Sequence, residues 1–241
     1  MSSVPVTGAF RRFSLPVRVK AVVIDLDGTL LDTVGDLASA ANAMRTELGL
    51  PPVEAEILKS YVGKGIVNLV ARAMTGGAGW LEEDKLNAAV AVFERHYAAC
   101  LATTTRPFPG VIEGLKALRD KGLHLGCITN KLARFTEPLL ETLGLTGHFE
   151  IVLSGDSLPR KKPDPLPLQH AAKYFGIGEH ELLLIGDSLN DVQAARSAGS
   201  PVFIVPYGYN EGRDVRTLDC DALVAGLDEA AKWVENGGKL N

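Results

Sequence analysis

The sequence predicts an α/β fold in which a parallel sheet forms the core and an all-helical segment is inserted near its beginning. Two observations support this fold class. After residue 111, short apolar runs alternate with segments of helical periodicity, which is typical of right-handed βαβ units in a parallel sheet covered on both faces. Between residues 34 and 105, helical patterns follow one another with no strand pattern between them.

The chain therefore divides into a core and an insertion. We expect residues 19–33 and 106–241 to form the α/β core domain and residues 34–105 to form a helical domain that covers it as a cap. Residues 1–18 contain arginines but no apolar stretch long enough for a signal peptide. We expect them to be a loosely ordered leader, with a transit peptide as the alternative.

The elements follow from apolar periodicity and from the turn residues that interrupt it. Glycine-rich breaks separate the helices of the insertion, which are predicted over residues 36–48, 54–62, 66–74 and 81–102. The core begins with a strand that is predicted from the β-branched run at residues 21–24. The later core helices are predicted over residues 111–120, 133–143, 165–175, 190–198 and 227–235. The later core strands are predicted over residues 123–128, 149–153, 181–185, 202–205 and 222–224.

The composition argues against several classes of function. The net charge of −4 and the isoelectric point of about 5.8 give no overall attraction for nucleic acid or for an anionic membrane surface. No segment has the length and apolarity of a membrane span. The 3 cysteines are far apart, which fits neither a disulfide framework nor a CxxC metal site. We therefore expect a cytoplasmic monomer or homodimer whose partner is a small molecule.

Two aspartates follow the first predicted strand. Asp25 and Asp27 stand where the apolar run at residues 21–24 stops. If the strand continued, both side chains would face one pocket, whereas a turn would let Asp27 offer its backbone carbonyl instead. Because two buried carboxylates repel each other unless a cation or a proton lies between them, the sequence predicts a metal at this strand end.

Two further predicted strands also end in polar residues. Thr129 and Asp187 each follow directly on an apolar run. Because the ligands of an open parallel sheet bind beyond the carboxyl ends of its strands, we expect these residues and Asp25 to converge. Lys162 precedes a predicted helix and could reach the same crevice from the side.

An acidic group of this kind suits a hard divalent cation. Asp25, Asp27, Asp187 and Asp191 supply oxygen ligands, and Lys162 is the basic residue that opposes them. Mg²⁺ usually keeps waters and one or two carboxylates while phosphate oxygens take its remaining positions, so we expect a phosphate substrate. One aspartate could then attack phosphorus while the other donates a proton to the leaving oxygen, giving an aspartyl phosphate that is later hydrolysed.

Four motifs occur along the chain in a fixed order. They are Asp25-Leu26-Asp27-Gly28-Thr29, Thr129-Asn130, Lys162-Pro163 and Gly186-Asp187-Ser188-Leu189-Asn190-Asp191. With this combination, residues 19–225 resemble the haloacid dehalogenase (HAD) superfamily of phosphohydrolases. The resemblance implies a Rossmann-like, HAD-like core with a helical cap that closes over small substrates and excludes water.

The resemblance also implies a role for each acidic residue. Asp25 would be the nucleophile and a ligand of Mg²⁺. Asp27 would be the general acid and base and would give its backbone carbonyl to the metal. Asp187 would be a metal ligand, and Asp191 would support the waters of the metal.

The remaining motif residues would bind the substrate. By resemblance, Thr129 hydrogen-bonds the transferring phosphoryl group, Asn130 helps to hold it, and Lys162 neutralises charge and orients Asp25. In the cap, Lys64 and Arg72 are candidates for binding a substrate carboxylate. The alternative is that Lys64 belongs to an interhelical turn and Arg72 to the surface of a helix.

Further stretches narrow the resemblance to bacterial phosphatases of 2-phosphoglycolate. These stretches are Val62-Gly63-Lys64-Gly65, Arg72-Ala73-Met74, Thr129-Asn130-Lys131, Lys161-Lys162-Pro163-Asp164-Pro165 and Pro206-Tyr207-Gly208-Tyr209-Asn210. They imply a phosphoric monoester hydrolase that converts 2-phosphoglycolate into glycolate and phosphate. A second hypothesis is a phosphatase or phosphomutase of another small phosphate ester, such as a sugar phosphate or nucleotide. A third is a phosphoryl-accepting signalling domain, against which the large helical insertion argues.

Overall fold

The computed structural model describes residues 12–77 and 79–238. The strands are short segments bounded by turns or loops, and those of the central sheet are mostly apolar. The strands are β1 (Val17–Val19), β2 (Ala21–Ile24), β3 (Leu31–Asp32), β4 (Arg106–Pro107), β5 (His124–Ile128), β6 (Ile151–Leu153), β7 (Leu182–Gly186), β8 (Val202–Ile204), β9 (Ala222–Leu223) and β10 (Val234–Asn236). The α-helices are α1 (Val34–Glu47), α2 (Ala55–Lys59), α3 (Ile66–Thr75), α4 (Glu83–Cys100), α5 (Val111–Asp120), α6 (Ala133–Thr142), α7 (Leu166–Phe175), α8 (Leu189–Ala198) and α9 (Leu227–Ala230).

A parallel sheet of six strands confirms the predicted fold class. Its order is β6-β5-β2-β7-β8-β9, and every neighbouring pair is parallel. The chain runs from β2 outward through β5 to β6, and it then returns to the other side of β2 to form β7. The strand order therefore reverses at β2, and such a switch point is where open α/β sheets bind their ligands.

The sheet is buried on both faces, as the continuous apolar runs predict. All residues of β2 and β7 are buried, and separate apolar clusters cover the two faces of the sheet. Within residues 12–77 and 79–238, no helix is both long and apolar enough to cross a bilayer.

Helices α1 to α4 pack on one another around an apolar cluster of their own. Met44, Phe93 and Tyr97 are among its fully buried side chains, and Phe135 of α6 packs against it from the core side. The short antiparallel pair β3 and β4 joins the two chain segments that lead into and out of these helices. The division into a core and a cap after residues 33 and 105 stays our prediction, and this pair lies beside both predicted boundaries.

Both ends of the described chain differ from expectation. The helix predicted over residues 227–235 ends early, because α9 gives way to a 3₁₀ turn and then to β10. Strand β10 pairs in parallel with β1, which lies in the segment that we expected to be a loosely ordered leader. Residues 12–18 therefore pack on the core, and the backbone N–H of Arg12 donates to Asp221 Oδ1 at 2.8 Å. Residues 1–11 of the expected leader lie outside the described residues.

Candidate active site

The site lies at the carboxyl ends of the three central strands. Asp25 follows β2, Thr129 follows β5 and Asp187 follows β7. Residues of the three strands are paired in step, so they end at the same edge of the sheet. The structure thus brings together the three strand-end residues that the sequence placed in one crevice.

The chain turns directly after β2 rather than continuing as a strand. Gly28 has φ of +87°, a conformation that favours glycine. A Cβ atom at this position would lie 2.5 Å from Asp187 Oδ2, so the tight approach of the two loops also requires glycine. Of the two arrangements considered from the sequence, the turn is observed, yet Asp25 and Asp27 both line the same cavity.

Asp25 is oriented through one of its carboxylate oxygens. Its Oδ1 accepts a hydrogen bond from the backbone N–H of Leu26 at 2.7 Å and lies 2.8 Å from Lys162 Nζ. Burial raises the pKa of Asp25 to about 7, against the opposing effect of Lys162. Holding Oδ1 in this way suits an attack by Oδ2, which is what a nucleophilic carboxylate requires.

Three buried carboxylates form a group that suits a cation. Each of Asp25, Asp187 and Asp191 offers an oxygen within 4.8 Å of the others. Burial, together with the charges of Asp191 and Asp25, raises the pKa of Asp187 well above its usual range. Because Lys162 offsets only part of this charge, the all-oxygen group fits Mg²⁺, which prefers such ligands.

Asp191 lies in this group, but protein donors engage both of its oxygens. Its Oδ1 accepts from Lys162 Nζ at 2.7 Å. Its Oδ2 accepts from the hydroxyl of Ser188 at 2.6 Å and from the backbone N–H groups of Ser188 and Asp187 at 3.1 and 3.3 Å. This arrangement is compatible with the supporting role expected for Asp191, since it positions both Lys162 and the loop of Asp187.

Lys162 is a buried cation between two of the acids. Its Nζ contacts Asp25 and Asp191 and also donates to the backbone carbonyl of Ile128 at 2.8 Å. Burial alone would lower the pKa of Lys162, but the two carboxylates raise it above its usual value. The ammonium group therefore stays charged beside Asp25.

The carboxylate of Asp27 is held apart from the other acids. It accepts from the hydroxyl of Thr33 at 2.7 Å and from Lys131 Nζ, which lies 2.9 and 3.2 Å from its two oxygens. From the sequence, Lys131 was only part of the stretch Thr129-Asn130-Lys131, and we predicted no role for it. Its position directly after Thr129-Asn130 was the one signal that could have placed it in the site.

Thr129 and Asn130 lie on the same edge. Thr129 is buried, and its hydroxyl accepts from the backbone N–H of Lys131 at 3.1 Å, which leaves the hydroxyl proton free to donate. Asn130 Nδ2 donates to the carbonyl of Lys162 at 2.9 Å and to the carbonyl of Gly63 at 3.0 Å. Asn130 therefore connects the loop of Lys162 to the turn between α2 and α3.

The structure does not bring Lys64 and Arg72 to the acidic group. Both lie beside Glu211, with Lys64 Nζ at 2.8 Å and Arg72 NH1 at 3.2 Å from its Oε1. Arg72 also stacks on the ring of Tyr61, 4.3 Å from the ring centre, and donates to the carbonyl of Ser60. Glu211 lies in the loop after β8 and was not predicted. These pairs join that loop to the turn between α2 and α3, which holds Lys64, and to α3, which holds Arg72.

A small cavity of about 30 Å³ lies between the strand ends and the helices. Apolar side chains of the helical segment face it across from the polar edge of the sheet. Its lining comprises Asp25, Asp27, Thr129, Asn130 and Lys131 on one side and Leu37, Val62, Gly63, Gly65, Ile66 and Leu69 on the other. Ligand sites are typically concave, with a few converging polar groups opposite an apolar wall, and this cavity has that character.

The chain is similar in sequence to known hydrolases over most of its length. The family model described as haloacid dehalogenase-like hydrolase matches residues 22–205. A phosphoglycolate phosphatase of Nitrosospira multiformis is 57% identical over 221 residues, which cover 91% of this chain and 97% of that protein. A phosphoglycolate phosphatase of Thiobacillus denitrificans is 55% identical over 92% of this chain and 98% of its own length.

A solved structure shows the same fold. The crystal structure of a chain described as a predicted phosphoglycolate phosphatase from Haemophilus somnus superimposes with a TM-score of 0.82 at 31% identity. The match covers 89% of this chain and 97% of the other. The similarity therefore includes the helical insertion as well as the sheet.

Proposed function

The chain belongs to the haloacid dehalogenase-like hydrolase family, and we propose that it is a Mg²⁺-dependent phosphatase that converts 2-phosphoglycolate into glycolate and phosphate. The observation that supports 2-phosphoglycolate as the substrate is the 57% identity to a phosphoglycolate phosphatase over nearly the whole length of both chains. The acidic group beside Lys162 supports the chemistry, since it supplies a nucleophile, a cation and oxygen ligands at one strand edge.

Asp25 is the nucleophile of the proposed reaction. Its Oδ2 attacks phosphorus, the bond from phosphorus to the ester oxygen breaks, and an aspartyl phosphate forms. Lys162 Nζ, 2.8 Å from Asp25 Oδ1, offsets the negative charge that spreads over the phosphoryl oxygens. The hydroxyl of Thr129 donates a hydrogen bond to one of these oxygens.

Asp27 moves the proton in both halves of the reaction. It donates a proton to the ester oxygen of the leaving glycolate. It then takes a proton from the water that attacks the aspartyl phosphate, which releases phosphate and restores Asp25. Thr33 and Lys131 hold its carboxylate in place at the mouth of the cavity.

Asp25 and Asp187 are the residues that would hold Mg²⁺, with the backbone carbonyl of Asp27 as a further oxygen and Asp191 in support. When bound, the cation supplies positive charge that favours the approach of an anionic phosphate to an anionic nucleophile. The buried acids fit this role because Lys162 alone does not balance them.

Steady-state kinetics with a panel of phosphate esters tests the substrate. The panel contains 2-phosphoglycolate, glucose 6-phosphate, AMP and ethyl phosphate, each assayed with Mg²⁺ and with EDTA. We expect the highest kcat/KM for 2-phosphoglycolate, and activity that is lost with EDTA and recovered with excess Mg²⁺. Equal kcat/KM values across the panel would remove the substrate assignment.

The variant Asp25→Asn tests the mechanism. We expect kcat to fall at least ~1,000-fold, because the amide is not a nucleophile. The matched control is Asp164→Asn, since Asp164 pairs with Arg160 outside the acidic group. Full activity of Asp25→Asn would contradict the proposed attack by Asp25. Persistent stoichiometric phosphorylation of the wild type without release of phosphate would favour a signalling domain.

A further inference from the structure

The substrate proposed above carries two separate anionic groups, and the site must hold both. The phosphate lies against Asp25 and Lys162 in the proposed reaction. The carboxylate needs a second cation, because an anion in a water-poor cavity is costly without a partner. The nearby cations of the helical segment are already engaged, since Lys64 and Arg72 both pair with Glu211.

Among the described residues that line the cavity, Lys131 is the one cation. Its side chain is 3% exposed, and its Nζ lies against both oxygens of Asp27. An ammonium group has three donors, so two contacts with Asp27 leave one donor for another anion. The contact with the carboxylate of Asp27 favours the charged form of this ammonium group.

The chemistry of the ester places its carboxylate near this lysine. In 2-phosphoglycolate the carboxyl carbon is two bonds from the ester oxygen. Because Asp27 must lie within hydrogen-bond distance of that oxygen to protonate it, the carboxylate comes next to the partners of Asp27. Lys131 Nζ is such a partner, 2.9 Å from Asp27 Oδ1.

Tyr97 of α4 provides a second, independent observation. Lys131 Nζ lies 4.9 Å from the centre of its ring. The hydroxyl of Tyr97 is buried and makes no hydrogen bond of normal geometry with a described residue, although it lies close enough to Lys131 Nζ to interact with it. Such orphaned donors are rare in folded proteins, and each calls for an explanation such as a ligand. A carboxylate oxygen between Lys131 and Tyr97 would satisfy this hydroxyl.

We propose that Lys131, together with the hydroxyl of Tyr97, binds the carboxylate of the substrate and so selects 2-phosphoglycolate over esters that lack it. This inference rests on the proposed function. It assigns the selectivity for this substrate to Lys131 and to Tyr97 of α4, in place of Lys64 and Arg72. Lys131 thereby contacts both the proton carrier Asp27 and the group that identifies the substrate.

The test compares 2-phosphoglycolate with ethyl phosphate, an ester of similar size without the carboxylate. The quantity measured is the ratio of their kcat/KM values. We expect Lys131→Met to lower this ratio about 10- to 100-fold, as the loss of a charge-assisted hydrogen bond to a buried anion implies. Loss of the Asp27 contact affects both esters and cancels in the ratio. The matched control is Lys173→Met, which removes an exposed lysine from α7.

A second variant keeps the test decisive if Lys131→Met does not fold. Tyr97→Phe keeps the ring in the apolar cluster and removes only the hydroxyl, and we expect it to lower the same ratio several-fold. Lys64→Gln and Arg72→Gln are measured in parallel. A ratio that falls in these two variants but not in Lys131→Met or Tyr97→Phe would overturn the inference.

Two outcomes separate this inference from the proposed function. If the wild type prefers 2-phosphoglycolate and Lys131→Met loses activity equally on both esters, the function stands and Lys131 only positions Asp27. If the wild type shows no preference for 2-phosphoglycolate, the proposed function and the inference both fail.

Discussion

Lys162 is the cation that opposes the group of three carboxylates in the candidate active site. Lys162 is buried between Asp25 and Asp191, with N···O distances of 2.8 and 2.7 Å. A buried ion pair contributes little net stability, but removing one partner leaves an uncompensated buried charge. We therefore expect Lys162 to affect folding as well as the proposed reaction.

We predict that Lys162→Met lowers both stability and activity. With the cation removed, Asp25 and Asp191 face each other in a buried site, and the free energy of unfolding should fall by about 3–5 kcal/mol. Urea denaturation monitored by circular dichroism measures the change. Lys161→Met is the matched control. Lys161 is the exposed neighbour of Lys162, so its replacement should change the free energy of unfolding by less than about 0.5 kcal/mol. Equal stability of the two variants would contradict the prediction.

The location of a site residue was predictable from the sequence where the residue directly follows a strand. Asp25, Thr129 and Asp187 directly follow strands, so the topology of a parallel sheet brings them together. The contact of Lys131 with Asp27 was not predictable, because a strand end does not determine where a long side chain reaches. The pairing of Lys64 and Arg72 with Glu211 depends on a loop far along the chain, and periodicity carries no information on it.

Among the elements, α1 is joined to the chain segment that leaves the helical insertion. Asp36, in the first turn of α1, accepts hydrogen bonds from the backbone N–H and the hydroxyl of both Thr104 and Thr105, at 2.6 to 3.2 Å. Burial of Asp36 opposes its ionisation, but these bonds lower its pKa below the usual value. The ionised carboxylate thus ties the two connections of the insertion together.

We predict that Asp36→Asn destabilises the protein by about 2 kcal/mol near neutral pH, since charge-assisted hydrogen bonds are lost. Because the pKa of Asp36 is lower in the folded state, its contribution is present above the unfolded pKa and disappears as the pH falls through the folded value. The difference in unfolding free energy between wild type and variant should therefore shrink below about pH 4. Urea titrations at several pH values measure it, and a constant difference would count against the prediction.

Helices and strands were predictable where local pattern and tertiary context agree. Strands β2 and β7 are continuous apolar runs buried on both faces. The segment around β10 has helical periodicity, but its backbone pairs with β1 instead. That pairing joins the two ends of the described chain, and a three-residue strand gives too weak a signal to reveal it.

At the scale of the whole molecule, Tyr209 connects the acidic group to the start of the insertion. Its backbone N–H donates to Asp187 Oδ2. Its hydroxyl accepts from the N–H groups of Thr33 and Val34 at 2.8 and 3.1 Å and donates to Asp32 Oδ1 at 2.7 Å. The side chain of Tyr209 thus contacts residues 32–34, which form the linker into the insertion. Its backbone holds Asp187, a candidate metal ligand. The sequence predicts that the insertion begins after the first motif but gives no sign of this connection.

We predict that Tyr209→Phe loosens this linker without moving the sheet. The amide of Thr33 loses its acceptor, whereas that of Val34 keeps Asp32 Oδ1 at 3.4 Å. The hydrogen exchange of Thr33 should therefore accelerate about 10-fold, as the loss of one hydrogen bond implies, and that of Val34 by less. NMR-detected exchange measures this at the two residues. Tyr207→Phe is the matched control, because the hydroxyl of Tyr207 donates to the carbonyl of Thr29 at 2.9 Å and not to the linker. Unchanged protection of Thr33 and Val34 in Tyr209→Phe would show that the linker is held by other contacts, such as the bonds of Asp36.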